Sequence, residues 1–450
     1  MKHYLLLFVA SLSALLLSTS VNAQITPANN KLGLAVYTPP QNPAFDFDSC
    51  FHLGQVSGMN EYQFSLDWST LEPTAGTFDF AYIDVANYYF PLYNMPVNLV
   101  LAPISTNVNE LPADLTSYAF NDTVMINRFN ALLDSIKIHA PAITFSSLVI
   151  GNEIDVYLGN SASAWANYTT FLVATSAHAQ TLWPGIKIAC KITFNGLVNN
   201  PTAPYAQQIN TYCDYIGTTY YPLNPDFTVK PVSVIPTDFD TIVSAYPNKP
   251  ICFYECGYPS STACNSSDSL QKEFITQIFT SWDAYSANIR LVDFLWLHDL
   301  DTATINFFAL YYGSSDTVFL EYLRTLGLRT WGGNGTDKPA FTELQCQARQ
   351  RGYNTLNMNC TTGIPESTES STPLVLAPNP AQNDLSIQPS VILNDADVKI
   401  FNSSGQLVMN ITAINQSEIH INTSELNSGV YFLVVKNGKD YFNNRFVITR

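Results

Sequence analysis

Positive charge is scarce in this chain. Lys and Arg number 20 against 36 Asp and Glu in 450 residues, a formal net charge of −16. Nucleic acid and anionic membrane surfaces both demand basic patches, so neither is an expected partner. There are only 6 histidines, without metal-ligand spacing, and the 8 cysteines include no CxxC. A zinc site has no anchor in such a pattern. GxSxG and HExxH are both missing, which leaves serine-hydrolase and zinc-peptidase chemistry without a motif. No Gly-rich phosphate loop follows the first strand-like run, and no cofactor is implied. Past the N-terminal leader, no apolar run is long enough to span a bilayer, so no transmembrane helix is expected.

What is present starts with that leader. Met1-Lys2-His3 is a short basic region, Tyr4 to Leu17 is nearly all apolar, and Val21-Asn22-Ala23 supplies small residues for a signal peptidase. Residues 1–23 therefore read as a signal peptide, and the mature protein as exported and soluble. A hydrophobic content of 46% is ample for a core, and 13% aromatic is high enough to fit sugar stacking. Export permits disulfides. Cys256 with Cys264, and Cys346 with Cys360, are close enough in sequence to close short loops, while Cys190, Cys213 and Cys252 fall in expected strands as candidate buried thiols.

Strand-like and helix-like stretches then alternate. Strands are expected at Leu32 to Pro40, Met59 to Trp68, Pro96 to Ile104, Phe145 to Glu153, Ile186 to Thr193, Cys213 to Leu223, Lys249 to Pro259 and Val292 to Asp301. Between them, Ile126, Phe129, Leu132, Leu133 and Ile136 repeat at the spacing of one buried helix face. Further helices are expected over Trp165 to Leu182 and near Ser269 to Ser286. Eight strands alternating with helices read as an α/β fold, a (β/α)8 TIM barrel over 24–360. Residues 361–372 are polar and Ser/Thr-rich, which reads as a linker. From 373 to 450 only short alternating runs remain, with turns at Ser404-Gly405 and Asn437-Gly438; this is a small C-terminal antiparallel β-sandwich.

The fourth strand, LVIGNE, leaves Glu153 where its apolar run ends, at the C-terminal mouth where barrels place their chemistry. Glu255 ends the seventh strand in ICFYECGYP in the same way. They are 102 residues apart, about 34 per βα unit over three units, close to the roughly 31 of a typical barrel. Strands four and seven lie nearly opposite across the mouth, so the two carboxylates can face each other. Glycosidic cleavage needs such a pair: one protonated carboxyl for the leaving oxygen and one carboxylate on the other side. Glu153 is the expected catalytic acid and Glu255 the expected nucleophile. Asn152, Tyr220, Tyr221, Trp296, Trp68 and His298 are expected substrate-binding residues; an amide can hold a sugar hydroxyl and an indole can stack on a pyranose. Glu72 and Pro73 shape the loop after strand two, and Asp67, Asp299 and Asp301 are candidate cleft-lining groups.

These segments together resemble clan A glycoside hydrolases over most of Lys31 to Leu344. GNE at 151–153 resembles the acid/base motif of the fourth strand and Glu255 the nucleophile of the seventh. CDYIGTTYYPL and YECGYP look most like the endo-β-1,4-galactanase family. The resemblance implies a secreted enzyme that cleaves a β-linked polysaccharide, such as β-1,4-galactan or a related plant or algal β-glycan. It also implies a retaining double displacement, with carboxyls roughly 5–5.5 Å apart. One element departs from the clan. The usual strand-two arginine that contacts the nucleophile is missing from EYQFSLDW, where Tyr62 or Gln63 stands in that neighbourhood. The competing expectation is therefore a non-catalytic glycan-binding barrel. The tail, with LAPNPAQNDLSI and LNSGVYFLVV, resembles the C-terminal sorting domain of Bacteroidetes type IX secretion. That implies the type IX machinery as a partner, passage through the periplasm, and a secreted or cell-surface destination.

Overall fold

The structure, a computed structural model, describes residues 30–356, 360, 374–388, 396–402, 407–413, 418–437 and 440–450. The signal-peptide and linker readings, and the turns at 404–405 and 437–438, rest wholly or partly on residues outside that set. By internal contacts the chain divides into Met1–Asn359 and Cys360–Arg450.

The first unit is the expected barrel. Its strands are β1 (Lys31–Leu34), β2 (Tyr62–Asp67), β3 (Val97–Ser105), β4 (Phe145–Asn152), β5 in two segments (Lys187–Ala189 and Lys191–Thr193), β6 (Ile216–Tyr220), β7 (Ile251–Cys256) and β8 (Ile289–Phe294). Every neighbouring pair of these eight that shares a ladder is parallel, in the order 2-3-4-5 and 5-6-7-8-1, and a short strand Val108–Asn109 turns back antiparallel on β3. The two runs meet within β5, which pairs with β4 through its first segment and β6 through its second. The seam between β1 and β2 is closed by the Asn60 amide donating to the Leu32 carbonyl, 3.0 Å.

Two strand readings need correction. The first strand stops at Leu34, short of its prolines, and the eighth runs Ile289–Phe294 rather than onward from Val292. Trp296 and His298 consequently lie beyond the strand. The amphipathic stretch forms the helix Thr123–His139, and Phe129, Leu132, Leu133 and Ile136 are fully buried against the barrel.

Packing forms two layers. Val100, Val149, Ala189, Cys252, Tyr254 and Leu291 form a cluster inside the barrel, separate from the larger core between strands and helices. The N-terminal end of the barrel is plugged by polar groups. Arg290 grips Glu61 through two bonds of 2.8 Å, Asn98 donates to the same carboxylate, and Ser147 donates to Asn98. Glu61 is fully buried, and its carboxyl is held by this fork.

Cys346 and Cys360 are disulfide-bonded. Cys256 and Cys264 are both free, contrary to the short-loop expectation: one ends β7 and the other packs under the loop after β8. Cys190, Cys213 and Cys252 are buried free thiols, although Cys213 precedes β6 rather than lying in it.

The second unit is the small antiparallel sandwich. One sheet contains β9 (Val375–Ala377), β10 (Asp384–Gln388) and β13 (Ile419–Asn422). The other contains β11 (Ala396–Asn402), β12 (Leu407–Ala413), β14 (Gly429–Asn437) and β15 (Asp440–Ile448). Alternate residues such as Leu385, Ile387, Val398, Ile400, Leu433 and Val435 make its core, as period-two patterning requires.

Candidate active site

Backbone geometry delivers both glutamates. Gly151 has φ +87°, and a Cβ there would lie 2.3 Å from the Tyr168 hydroxyl, so this position needs glycine twice over. Two residues later Glu153 itself is left-handed, φ 47° and ψ 44°, at the start of the helix Ile154–Leu158. A non-glycine residue in that region is strained, and such strain gathers at functional sites. On β7, Cys252 and Tyr254 point into the barrel while Ile251 and Phe253 face the helices. Strict alternation would turn Glu255 outward. A bulge intervenes: Thr218 of β6 is level with Phe253 but Thr219 is level with Glu255. The extra residue restores the inward direction for Glu255, a known use of bulges beside active sites.

The two carboxyls are held differently. Glu153 accepts hydrogen bonds from the hydroxyls of Thr106, 2.7 Å, and Thr219, 2.6 Å. Burial, and next the charge of Glu255, push its carboxyl up to about 7 despite those donors. Glu255 instead meets a cation: Lys191 Nζ donates to Oε1 at 2.6 Å, and the Tyr221 hydroxyl to Oε2 at 2.9 Å. One carboxyl thus keeps its proton near neutrality while its neighbour carries an ion pair. Two carboxyls in such different surroundings form a candidate acid and nucleophile pair.

Further acids surround the pair. Asp67, at the end of β2, is pushed up to about 7 by burial and then by Glu110, against the opposing pull of Lys191. Below, Asp293 on β8 is buried and raised well above its ordinary value, chiefly by burial, and its Oδ1 has no hydrogen-bond partner among the described residues. Above, the helices Thr302–Tyr311 and Thr317–Arg324 follow β8. Tyr311 donates to Glu110 at 2.9 Å, and the hydroxyls of Tyr312 and Tyr322 are raised by burial and by the charges of Glu153 and Glu255. Trp296 stacks on Tyr37, centroids 5.6 Å apart, and Tyr37 is 47% exposed.

The residues singled out from sequence separate cleanly. Glu153, Glu255 and Tyr221 come together, with Asp67 and Asn152 at the same strand ends. Asn152 leaves a buried Oδ1 without a protein partner among the described residues. Tyr220 does not join them. Its neighbours Thr219 and Tyr221 face the glutamates, so alternation turns Tyr220 outward, where it packs on Phe194, Phe239 and Phe253 and donates to Asp238. Trp68 is fully buried between the barrel and the rings of Phe129 and Phe171, and donates to Glu72. His298 is buried, held down to about 3 by burial and then Arg329, and accepts from that arginine as a neutral ring. Glu72 also takes Arg128, Asp299 pairs with Lys338, and Asp301 caps the helix Thr302–Tyr311; all three are structural.

Sequence reasoning passed over Lys191, Thr106, Thr219, Glu110, Tyr37 and the tyrosines after β8. Lys191 carried a usable signal, because a lysine inside the apolar run IKIACKIT must find a buried partner. Among the described residues no group of three or more His, Cys, Asp and Glu is arranged to hold a metal, and no helix is long and apolar enough to cross a membrane.

Comparison with known proteins bears on the fold and the tail. Residues 375–449 match the secretion system C-terminal sorting domain. Among solved structures, the chain resembles an exo-β-1,4-mannosidase of an Opitutaceae bacterium, strain TAV5, with a TM-score of 0.55 and 16% identity over 71% of this chain and 59% of that one. The chain thus spans under two thirds of that mannosidase. A GH5_18 structure from Bifidobacterium longum subsp. longum, in complex with Manβ1-4GlcNAc, gives 0.56 and 15% over 71% of this chain and 78% of that one. One from Streptomyces cattleya, with the same disaccharide, gives 0.55 and 16% over 72% and 82%. No curated protein sequence matches significantly. At these identities the likeness establishes the fold: a TIM barrel of the kind glycoside hydrolases use, carried on a chain with a sorting tail.

Proposed function

We propose that the barrel is a secreted retaining glycoside hydrolase that cleaves a β-linked polysaccharide by double displacement. Glu153 gives its proton to the leaving oxygen while Glu255 attacks the anomeric carbon; Glu153 then takes a proton from the water that releases the sugar. The observation that carries this reading is the different setting of the two carboxyls, one buried and held near 7 and the other ion-paired with Lys191. Asn152 and Tyr221 contact the sugar and the nucleophile, and Tyr37 with Trp296 forms the stacking surface. Tyr-Tyr-Pro at 220–222 and Glu-Cys-Gly-Tyr-Pro at 255–259 favour β-1,4-galactan, with the β-mannoside of the structural neighbours as the nearest competitor.

The chain is made as a signal peptide over 1–23, a catalytic barrel over 24–360, a linker over 361–372 and a type IX sorting domain over 373–450. The test is to incubate the protein with a panel of β-glycans beside Glu153→Gln and Glu255→Gln. Reducing sugar released by the wild type alone is the expected result. Equal release by all three would reject the proposal.

A further inference from the structure

Clan A barrels steady the nucleophile with an arginine from strand two, and this chain has none there. The end of β2 carries Asp67 instead, a group of the opposite sign. The cation comes from the other side of the barrel. Lys191 opens the second segment of β5, two residues after the inward-facing Ala189, and is 1% exposed. A buried ammonium needs a partner. The groups facing it are Asp67 of β2, Glu255 of β7 and Asp293 of β8. Burial raises Asp293 well above its ordinary value, and Lys191 bonds Glu255 alone among the described residues.

The geometry points to Lys191 as the positioning residue of the nucleophile, taking from strand five the role that the clan gives to the strand-two arginine. This inference rests on the glycosidase reading above. Lys191 holds one oxygen of Glu255 and Tyr221 the other, so the carboxyl group is fixed beside a cation before attack. A Glu255 oxygen then bonds to the anomeric carbon, the bond to the leaving oxygen breaks, and the Glu153 proton goes to that oxygen. When water displaces Glu255, Glu153 takes the water's proton and the carboxylate charge returns beside Lys191. The ion pair therefore favours both ends of the cycle. Glu153, Tyr221, Tyr312, Tyr322 and Asp293 are the other titratable groups facing Glu255, and none of them is a cation.

The test uses the full chain with Lys191→Met and Lys191→Arg, assayed by reducing-sugar release on the panel of β-glycans above. Loss of positioning lowers kcat of the Met variant about 100-fold, with KM little changed. The acidic limb of its kcat/KM profile moves to higher pH, because the carboxylate has lost its cation. The Arg variant recovers part of the rate and returns the limb toward that of the wild type. An active Met variant with an unshifted profile would overturn the inference and leave the glycosidase reading standing. If the wild type hydrolyses no glycoside, that reading fails, and thermal unfolding still decides the pairing. Lys191→Met/Glu255→Gln should then melt above either single variant, since each single change strands one buried charge. A double variant no more stable than the singles would refute it.

Discussion

Replacing Glu153 by Gln removes a carboxyl that the fold holds well above its ordinary value of 4.5, at about 7. Between those two values the folded chain keeps a proton that the unfolded chain has released. Stability must then fall as pH rises through that window, and stay lowered above it. At 1.36 kcal/mol per pH unit the loss is about 3 kcal/mol by pH 8. Burial supplies the larger share and the charge of Glu255 the next, so the value is a ceiling that relaxation around the site will lower. Glutamine fills the same space, and the hydroxyls of Thr106 and Thr219 can turn to serve an amide. For a domain of this size about 3 kcal/mol moves the melting temperature by about 4 °C. The assay is thermal unfolding of wild type and Glu153→Gln from pH 5 to pH 9. The variant's advantage should be small at pH 5 and reach its full value by pH 8. Asp67 titrates in the same window, but it is common to both proteins and largely cancels in the difference. Parallel curves across the whole range would refute the reasoning, because Glu153 would then titrate as it does in the unfolded chain.

Tyr220 and Tyr221 make a paired prediction. Tyr221→Phe takes a donor from Glu255 and should lower kcat about tenfold, as expected for a hydrogen bond to a charged group. Tyr220→Phe loses only the bond to Asp238, so urea unfolding should show about 1 kcal/mol of lost stability and kinetics should show an unchanged KM. A KM change in the second variant would place Tyr220 in the cleft after all. At the other end of the barrel, Arg290→Met strands the buried Glu61 and should cost about 3–5 kcal/mol in the same unfolding assay. Adding Glu61→Gln should recover much of it.

How far the residues announced this site depends on which physical rule governs each one. Glu153 and Glu255 were legible because apolar strands that stop at a carboxylate, three βα units apart, leave little choice of place. Tyr220 and Tyr221 were taken together as a pair, yet period-two alternation separates neighbours by design. Only register against β7 says which of the two faces inward. The bulge that turns Glu255 inward has no marker of its own in ICFYEC; it appears only when β6 and β7 are laid side by side. Trp68 and His298 are the residue types that sugar sites use, but each is consumed by packing and by one buried partner, Glu72 and Arg329 respectively. Tyr311 and Tyr322 lie in helices beyond the last strand and Tyr312 caps the first of them, and their approach to the glutamates is tertiary.

The missing arginine is where the enzyme and the passive binder make different physical demands. Glycan binding needs hydrogen-bonding groups and a flat aromatic face, and gains nothing from strain or buried charge. This site holds a glutamate in left-handed backbone, a carboxyl displaced toward neutrality, and an ammonium 1% exposed at 2.6 Å from the facing carboxylate. Each opposes folding: the backbone strain by about 1–3 kcal/mol, the displaced carboxyl by the amount derived above, and the ion pair through desolvation. A barrel that only bound sugar would lose no function by relaxing Glu153 to glutamine and Lys191 to methionine, and would be more stable for it. Brought together at one mouth, these three features suit the proposed double displacement better than passive binding. On the proposed reading Lys191 stands in for the absent strand-two arginine, which answers the observation that motivated the inert barrel.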